Sequence, residues 1–349
     1  MRQIRSLLGF LLVSLWWSGC TSSCLRGPSY ALLPSDSLSI KIAAKTPVLP
    51  LQEIARTKGP QAYPLRVPRT VLFGPDGWLY VADPDRNEIL VFDTLGVWQR
   101  TMASPLFRWP YLSGWRADTL VVYSPPVHQM HMVHGGEVKR SFTTPEGTYT
   151  YTVAQDSLLY FKRTGEEEKP FITRLTYQGE PISPQWFPAG PFWRYVGPLR
   201  LMGDTLLSFC AYRPVLDRLF IDGRSDTLFL KGFDSSMLAR SKLFMQGEVD
   251  EPPLLIASGM PIDTLLFVLN VRPGWVRVDV YNREGWLQAV FEPDSLAFQS
   301  EFFPMDLAVR SVGSGIYQLA VTFLKPEPML RIYRVSLPDS IGIATSIPS

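Results

Sequence analysis

Hydrophobic and polar positions alternate with the period of a β-strand in one short stretch of the chain, residues 71–93. The alternation runs through 79–81 and, after a break, through 89–91. Residues 75–77 (Pro-Asp-Gly) form a turn pattern, because proline presets φ and glycine accepts positive φ. Residues 83–87 (Asp-Pro-Asp-Arg-Asn) extend neither run. The stretch therefore predicts two strands around two turns.

The same signature recurs along the chain: an acidic residue, then Ser, Thr or Gly, then a hydrophobic run. Its copies begin at Asp76, Asp118, Asp156, Asp204 and Asp263, with a degenerate sixth copy at Ser314. The copies start about 40 to 60 residues apart, which is typical of four-stranded propeller blades. Second strands are predicted at 88–93, 129–134, 171–177, 218–222, 276–281 and 329–335. The pattern predicts an all-β fold, a six-bladed β-propeller with four-stranded antiparallel blades.

The first copy also resembles a known repeat. The resemblance to the NHL repeat is carried by residues 73–83 (Phe-Gly-Pro-Asp-Gly-Trp-Leu-Tyr-Val-Ala-Asp), Asn87, Ile89, Val91, Phe92, Asp93 and Gly96. The later copies keep the Asp-Ser/Thr-Leu turn, lose the Ala-Asp…Asn pair, and resemble the divergent blades of NHL- or TolB-like propeller lipoproteins of bacteria. The resemblance implies the propeller fold over residues 38–349. It implies no particular function, because such propellers bind many different ligands.

Closure of such a ring needs a strand from outside the six copies. Residues 38–42 (Leu-Ser-Ile-Lys-Ile) alternate and precede the first blade. We expect this N-terminal strand to pair with the last blade and close the ring, which would leave only short protected edges.

The repeated polar residues have a structural explanation. An Asp before Ser, Thr or Gly caps a β-turn, because its carboxylate accepts hydrogen bonds from nearby amides. Structural turn roles, instead of a ring of catalytic carboxylates, are predicted for Asp76, Asp83, Asn87, Asp118, Asp156, Asp204 and Asp263.

The first 19 residues have the pattern of an export signal. Arg2 and Arg5 precede an apolar run at 7–17 that is too short for a comfortable membrane span. The run leads into Ser18-Gly19-Cys20, which resembles the lipobox of bacterial lipoproteins, although Trp17 stands where that family usually has an aliphatic residue.

This resemblance implies lipidation of Cys20 after removal of a signal peptide at 1–19. Residues 20–37 would then be a flexible tether that anchors the propeller to the lipid bilayer of the bacterial cell envelope, with the outer membrane as the expected location. An ordinary secretory signal and an N-terminal anchor helix remain the alternatives.

Charge and candidate chemistry narrow the function classes. The net charge of +2 comes from interspersed residues of both signs, whereas a nucleic-acid partner would require a clustered basic face. His128, His131 and His134 lie on one predicted strand, where the outer two share a face about 20 Å apart and the middle one points away. They cannot close on one zinc ion. The sequence contains no Gly-x-Ser-x-Gly elbow, and it indicates no catalytic residue, no metal and no cofactor. Cys210, in a hydrophobic strand, is predicted to be a buried free thiol.

One pattern of basic residues stands out. The loops between the two strands of each copy should open on one face, and each carries a basic or potentially basic residue: Arg86, His128, Arg163, Arg213, Arg272 and Lys325. They are either solvated loop tips or a positively charged face for an anionic ligand. The predicted function is a lipid-anchored binding or scaffold module for an envelope protein or anionic ligand. The alternative is a metal-dependent propeller hydrolase or lactonase with calcium or zinc in its channel.

Overall fold

The computed structural model describes residues 36–144, 149–155, 157–163 and 169–338. Three elements precede the first blade: helix α1 (Asp36–Lys45) and the short strands β1 (Val48–Pro50) and β2 (Gln52–Thr57). The remaining strands form six sheets.

Apart from β1 and β2, the strands of each sheet are consecutive in the sequence, and the sheets follow one another along the chain. Blade 1 contains β3 (Thr70–Phe73), β4 (Leu79–Asp83), β5 (Glu88–Phe92) and β6 (Trp98–Ala103). Blade 2 contains β7 (Tyr111–Arg116), β8 (Thr119–Ser124), β9 (Gln129–His134) and β10 (Glu137–Thr143). Blade 3 contains β11 (Tyr149–Ala154), β12 (Leu158–Arg163), β13 (Ile172–Thr176) and β14 (Pro181–Trp186).

The second half of the chain continues this order. Blade 4 contains β15 (Leu199–Met202), β16 (Thr205–Phe209), β17 (Val215–Phe220) and β18 (Ser225–Phe229). Helix α2 (Leu238–Gln246) follows blade 4. Blade 5 contains β19 (Ile256–Ile262), β20 (Leu265–Asn270), β21 (Arg277–Asn282) and β22 (Leu287–Glu292), and β1 adds to β22 in parallel. Blade 6 contains β23 (Phe303–Gly313), β24 (Ile316–Lys325) and β25 (Met329–Ser336), with β2 as its fourth strand.

The hydrophobic core lies between the blades. Six clusters of buried residues occur, and each joins side chains of two neighbouring sheets, including blade 6 with blade 1. In β4, for example, Val81 packs toward blade 6 whereas Tyr80 and Ala82 pack toward blade 2. A strand buried on both faces has a nearly continuous hydrophobic sequence, which explains the uninterrupted runs after each repeated signature. The six-bladed propeller with four-stranded antiparallel blades is confirmed.

The predicted role of residues 38–42 is wrong. These residues belong to helix α1, and the strand that pairs with β25 is β2, with Glu53 opposite Tyr333 and Arg56 opposite Arg331. Period-two alternation over five residues did not distinguish a strand from a short helix, because Leu38 and Ile42, four residues apart, also share one face of a helix.

Two kinds of connection share one end of every blade. Because consecutive strands are antiparallel, the link from the preceding blade and the loop between the second and third strands both lie where the innermost strand begins. We call this end the link face. Its described links between sheets comprise residues 58–69, 104–110, 187–198, 230–255 and 293–302.

Candidate functional site

A cavity of about 200 Å³ lies at the link face, at the centre of the propeller. All six blades contribute to its wall through residues near the beginning of their innermost strands. These residues include Thr70, Tyr111, Tyr151, Arg200, Ile256 and Asp306. The cavity is therefore the mouth of the central channel.

One carboxylate, that of Asp306, connects residues of several blades in the cavity wall. Asp306 accepts hydrogen bonds from Arg200 Nη2 (2.6 Å) and Ser258 Oγ (2.6 Å) at Oδ1, and from the backbone N–H of Val71 (3.1 Å) at Oδ2. Arg200 also donates to Ser258 Oγ at 3.1 Å. These four residues belong to blades 6, 4, 5 and 1, so a single side chain ties four blades together at the channel mouth. The charge of Asp306 is matched by that of Arg200.

Arg69 has a different environment. It ends the link into blade 1, lines the same cavity and is half-buried. Its Nη1 lies 4.0 Å from the sulfur of Met305, and its Cζ lies 6.0 Å from the ring centroid of Tyr111. No ion pair to Arg69 occurs within the described residues. The two arginines and one carboxylate of the wall leave a net positive charge in a partly enclosed site, where a charge is screened less than at an open surface.

Tyrosines supply much of the remaining wall. Tyr111, Tyr151 and Tyr212 line the cavity, and the Tyr111 hydroxyl accepts a hydrogen bond from Trp109 Nε1 at 3.0 Å. Burial raises the pKa of Tyr151, opposed by the charge of Arg69, and burial also raises the pKa of Tyr212. Both phenols are therefore neutral near pH 7, and they offer aromatic faces and hydroxyl groups instead of a base.

The predicted basic residues lie elsewhere, and none of the six is among the residues that line this cavity. Arg86 Nε donates to Glu88 at 2.9 Å, and its guanidinium lies 4.9 Å from the ring centroid of Tyr63. Lys325 is exposed and pairs with Glu301 at 3.2 Å.

Burial corrects the expectation that these residues are solvated loop tips. Arg163, Arg213 and Arg272 are all buried. Arg272 Nη2 donates to the backbone oxygen (2.6 Å) and the carboxylate (3.1 Å) of Asp234, and Arg213 lies 5.7 Å from the ring centroid of Trp193. Reversing the charge of Arg213 or Arg272 would consequently destabilise the fold. Their role toward an anionic ligand stays a prediction.

The acidic signature residues lie in turns. Asp118, Asp204 and Asp263 are each in the turn between the first and second strands of a blade. Asp76 Oδ1 accepts from the Trp78 backbone N–H at 3.1 Å, and its Oδ2 accepts from the Tyr80 hydroxyl at 2.8 Å. Asp156 and Cys20 lie outside the described residues.

The three histidines have three separate environments. His131 is fully buried, with Nδ1 2.8 Å from Ser141 Oγ and Nε2 3.1 Å from Ser124 Oγ, and burial lowers its pKa to about 4. His134 is exposed and its Nδ1 lies 3.4 Å from Asp118 Oδ2. His128 follows the short 3₁₀ turn Pro125–Val127 and has a left-handed backbone with φ 50°. In the ranges that the structure describes, no group of three or more His, Cys, Asp or Glu side chains could hold a metal ion.

Two further observations concern a buried cysteine and the helices. Cys210 is a buried free thiol, as predicted, and burial raises its pKa. Among the helices in the described ranges, none has the length and apolar character needed to cross a membrane.

The cavity residues were not identified from the sequence. Arg69, Arg200 and Asp306 each stand at or beside the beginning of an innermost strand. Aligning the six copies on the strand before each acidic signature would have shown that these positions share one end of the channel.

Comparison with known proteins addresses the fold. No family model matches the sequence, and no curated protein matches it. A Bacteroides fragilis protein described as exported superposes with a TM-score of 0.53 at 8% identity, over 83% of this chain and 95% of that one. A DUF4221 family member from Bacteroides vulgatus superposes with a TM-score of 0.51 at 12% identity, over 83% and 96%.

A streptogramin B lyase superposes with a TM-score of 0.50 at 11% identity, over 82% of this chain and 88% of the lyase. At such low identities the likeness shows the fold alone. The chain is structurally similar to bacterial six-bladed β-propellers of varied function.

Proposed function

We propose that this protein is an exported binding module of the bacterial cell envelope that captures a ligand with a negatively charged group in its channel cavity. The observation that carries the proposal is Arg69, a half-buried guanidinium in an aromatic wall without an ion pair in the described part of the chain. Arginine suits this role because its planar fork can hold a carboxylate or phosphate through two hydrogen bonds.

The cavity also limits the ligand. The charge of Arg200 is already balanced by that of Asp306. The guanidinium of Arg69 is therefore the group that can bind an added anion, and the wall favours a ligand with a single negative charge. Tyrosine rings beside Arg69 favour an apolar body next to that charge. A hydrogen bond to a charged group contributes about 1.5–3 kcal/mol, enough to make binding depend on this one residue.

The location rests on the N-terminal sequence. Arg2 and Arg5, the apolar run at 7–17 and Ser18-Gly19-Cys20 support lipidation at Cys20, and the pattern of residues 73–83 supports kinship with NHL- or TolB-like lipoproteins. The similarity to a protein described as exported is compatible with this location. Mass spectrometry of the mature N-terminus tests it: we expect a diacylated or triacylated Cys20, and an unmodified chain beginning at residue 21 or later would contradict the anchor.

Titration of purified protein with benzoate and inorganic phosphate tests the ligand class. Isothermal titration should show saturable binding of benzoate by the wild type and at least about tenfold weaker binding by Arg69→Gln. A tenfold loss corresponds to about 1.4 kcal/mol, close to the lower limit for a hydrogen bond to a charged group. Arg66→Gln is the matched control, because Arg66 lies in the same link but is exposed and paired with Asp85 at 3.3 Å. Equal affinities of both variants, or no binding of either anion by the wild type, would refute anion capture by the cavity.

A further inference from the structure

We propose that the channel cavity receives the C-terminal residue of a partner protein, with its carboxylate on Arg69 and an aromatic or aliphatic side chain among the tyrosines. This inference rests on the proposed function and specifies its ligand. It follows from the size of the cavity, the surface around it and the arrangement of charge in its wall.

The cavity is small for a separate ligand. Pockets for small molecules generally measure about 300–1,000 Å³, whereas this one measures about 200 Å³. A ligand confined to it would have few contacts. A single residue of a larger partner fits the available space and leaves the rest of the binding surface outside the channel.

The surface outside the channel is suited to a protein. Large apolar side chains are exposed in several of the segments that form the link face: Tyr63, Leu106, Trp109, Met237, Phe298 and Phe303. Phe298 is 76% exposed and Trp109 is 44% exposed. Exposed apolar side chains beside a charged cavity suit a protein partner, because aromatic residues and methionine are enriched at protein interfaces.

Phe303 connects the surface with the cavity. It begins β23, is 38% exposed and also lines the channel mouth. An extended partner segment that lies over the link face can therefore contact Phe303 at the point where it enters the cavity.

The chain end is the part of a partner that satisfies both halves of the wall. A C-terminal residue carries a carboxylate and a side chain on the same Cα, which matches the guanidinium of Arg69 beside aromatic rings. Recognition of a terminal carboxylate is an established mode of peptide binding. An internal acidic residue has its charge at the tip of its side chain and leaves the tyrosine faces without an apolar partner.

Fluorescence anisotropy with labelled hexapeptides tests this inference. The probes are Gly-Ser-Gly-Ser-Ala-Phe as the free acid, the same peptide as its amide, a free acid ending in Gly, and an amidated peptide with one internal Glu. We expect the first peptide to bind about tenfold more tightly than its amide. Loss of the terminal side chain should weaken binding by about tenfold to a hundredfold. Equal binding of acid and amide, preference for the internal Glu, or no binding of the first peptide would overturn the proposal.

Variants assign the effect to the cavity. Arg69→Gln should abolish the difference between acid and amide, whereas Arg66→Gln should keep it. Phe303→Ala, which leaves the guanidinium in place, should weaken both peptides and preserve their ratio. If benzoate binds through Arg69 but the free-acid peptide does not bind, the anion-binding function stands and the chain-end inference falls.

Discussion

The loops between the second and third strands of blades 1 and 2 have the same backbone but different side-chain chemistry. Asp83 (φ −115°, ψ 91°) and Ser124 (φ −114°, ψ 90°) both precede a short 3₁₀ turn that begins with proline. The turns end at Asn87 (φ 55°) and His128 (φ 50°), both in the left-handed region. The two corners are therefore structurally equivalent.

Their contacts to the neighbouring links differ. Asp83 accepts hydrogen bonds from the backbone N–H groups of Arg66 (2.7 Å) and Val67 (3.1 Å). Ser124 accepts one from Arg108 N–H at 3.2 Å, and its hydroxyl also lies 3.1 Å from His131 Nε2. The buried carboxylate of Asp83, with two backbone donors, thus occupies the same position in blade 1 as the Ser124 hydroxyl in blade 2, which contacts both a link and the buried ring of His131.

The left-handed residues differ in the same way. Asn87 Oδ1 accepts from the Trp109 backbone N–H at 2.7 Å. In blade 2 the backbone oxygen of His128 takes over, accepting from the N–H (2.7 Å) and hydroxyl (3.1 Å) of Thr144. Each corner still holds the next link. The comparison shows that the fold retains the backbone of the corner while the Ala-Asp…Asn signature disappears.

The largest expected effect is the loss of the carboxylate in blade 1. Asp83→Ala leaves two backbone donors of the link without their acceptor, and we expect it to lower the free energy of unfolding by about 3 kcal/mol. Ser124→Ala, which removes a neutral hydroxyl shared by the Arg108 N–H and His131 Nε2, should cost about 1–2 kcal/mol. Urea denaturation of both variants measures the difference. Equal losses would show that the two corners contribute alike.

The second prediction concerns pH. The folded-state pKa of His131 is about 4, below the usual histidine value of 6.5, because burial disfavours the charged ring. The unfolded chain therefore binds the extra proton between these pH values. The stabilisation is fully present above pH 6.5 and is lost as pH falls toward 4, by about 2–3 kcal/mol.

The matched variant for this effect comes from blade 1. Leu90 pairs with Val81 as His131 pairs with Val122, so His131→Leu places the blade 1 residue in blade 2. We expect this variant to have a flatter stability profile between pH 4 and pH 6.5 than the wild type, measured by urea denaturation at each pH. Parallel profiles would contradict a buried neutral ring.

The smallest effect is expected for the substitution His128→Asn at the left-handed position of blade 2. His128 Nδ1 is buried without a hydrogen-bond partner among the described residues, and asparagine tolerates positive φ. His128→Asn should therefore change the melting temperature very little, because the backbone oxygen keeps Thr144. Asn87→Ala loses an acceptor and strains a left-handed backbone, at a cost of about 1–3 kcal/mol. A larger loss for His128→Asn would reverse the comparison.

The local sequence pattern predicted the blades because, apart from β1 and β2, each blade is built from strands that are consecutive in the sequence. The predicted strand at 129–134 coincides with β9. The strand predicted at 218–222 is Val215–Phe220 in the structure, since Asp222 and Gly223 form the following turn and the preceding loop is shorter than expected. The resemblance to a known repeat indicated the fold and could not indicate a ligand.

The local sequence pattern could not predict which residues line the cavity, and the reason is physical. Arg69, Arg200 and Asp306 come together only because the six innermost strands begin at one end of the channel. Arg163 and Lys325, chosen from the sequence as loop residues, are the last residues of β12 and β24. Arg213 and Arg272 are buried by contacts with Trp193 and Asp234, which lie in links whose paths no repeat pattern specifies.

Blade 6 has a consequence for the order of folding. Its sheet pairs Gln52–Thr57 with Met329–Ser336, strands from opposite ends of the described chain. Contacts between such distant residues form slowly, because the intervening chain must be ordered first. During synthesis or export the early strand emerges long before its partner, and its unpaired edge is open to other chains. A chain that lacks β25 would therefore contain all the strands of blades 1 to 5 and still expose β2 as a strand with unpaired backbone groups along one edge.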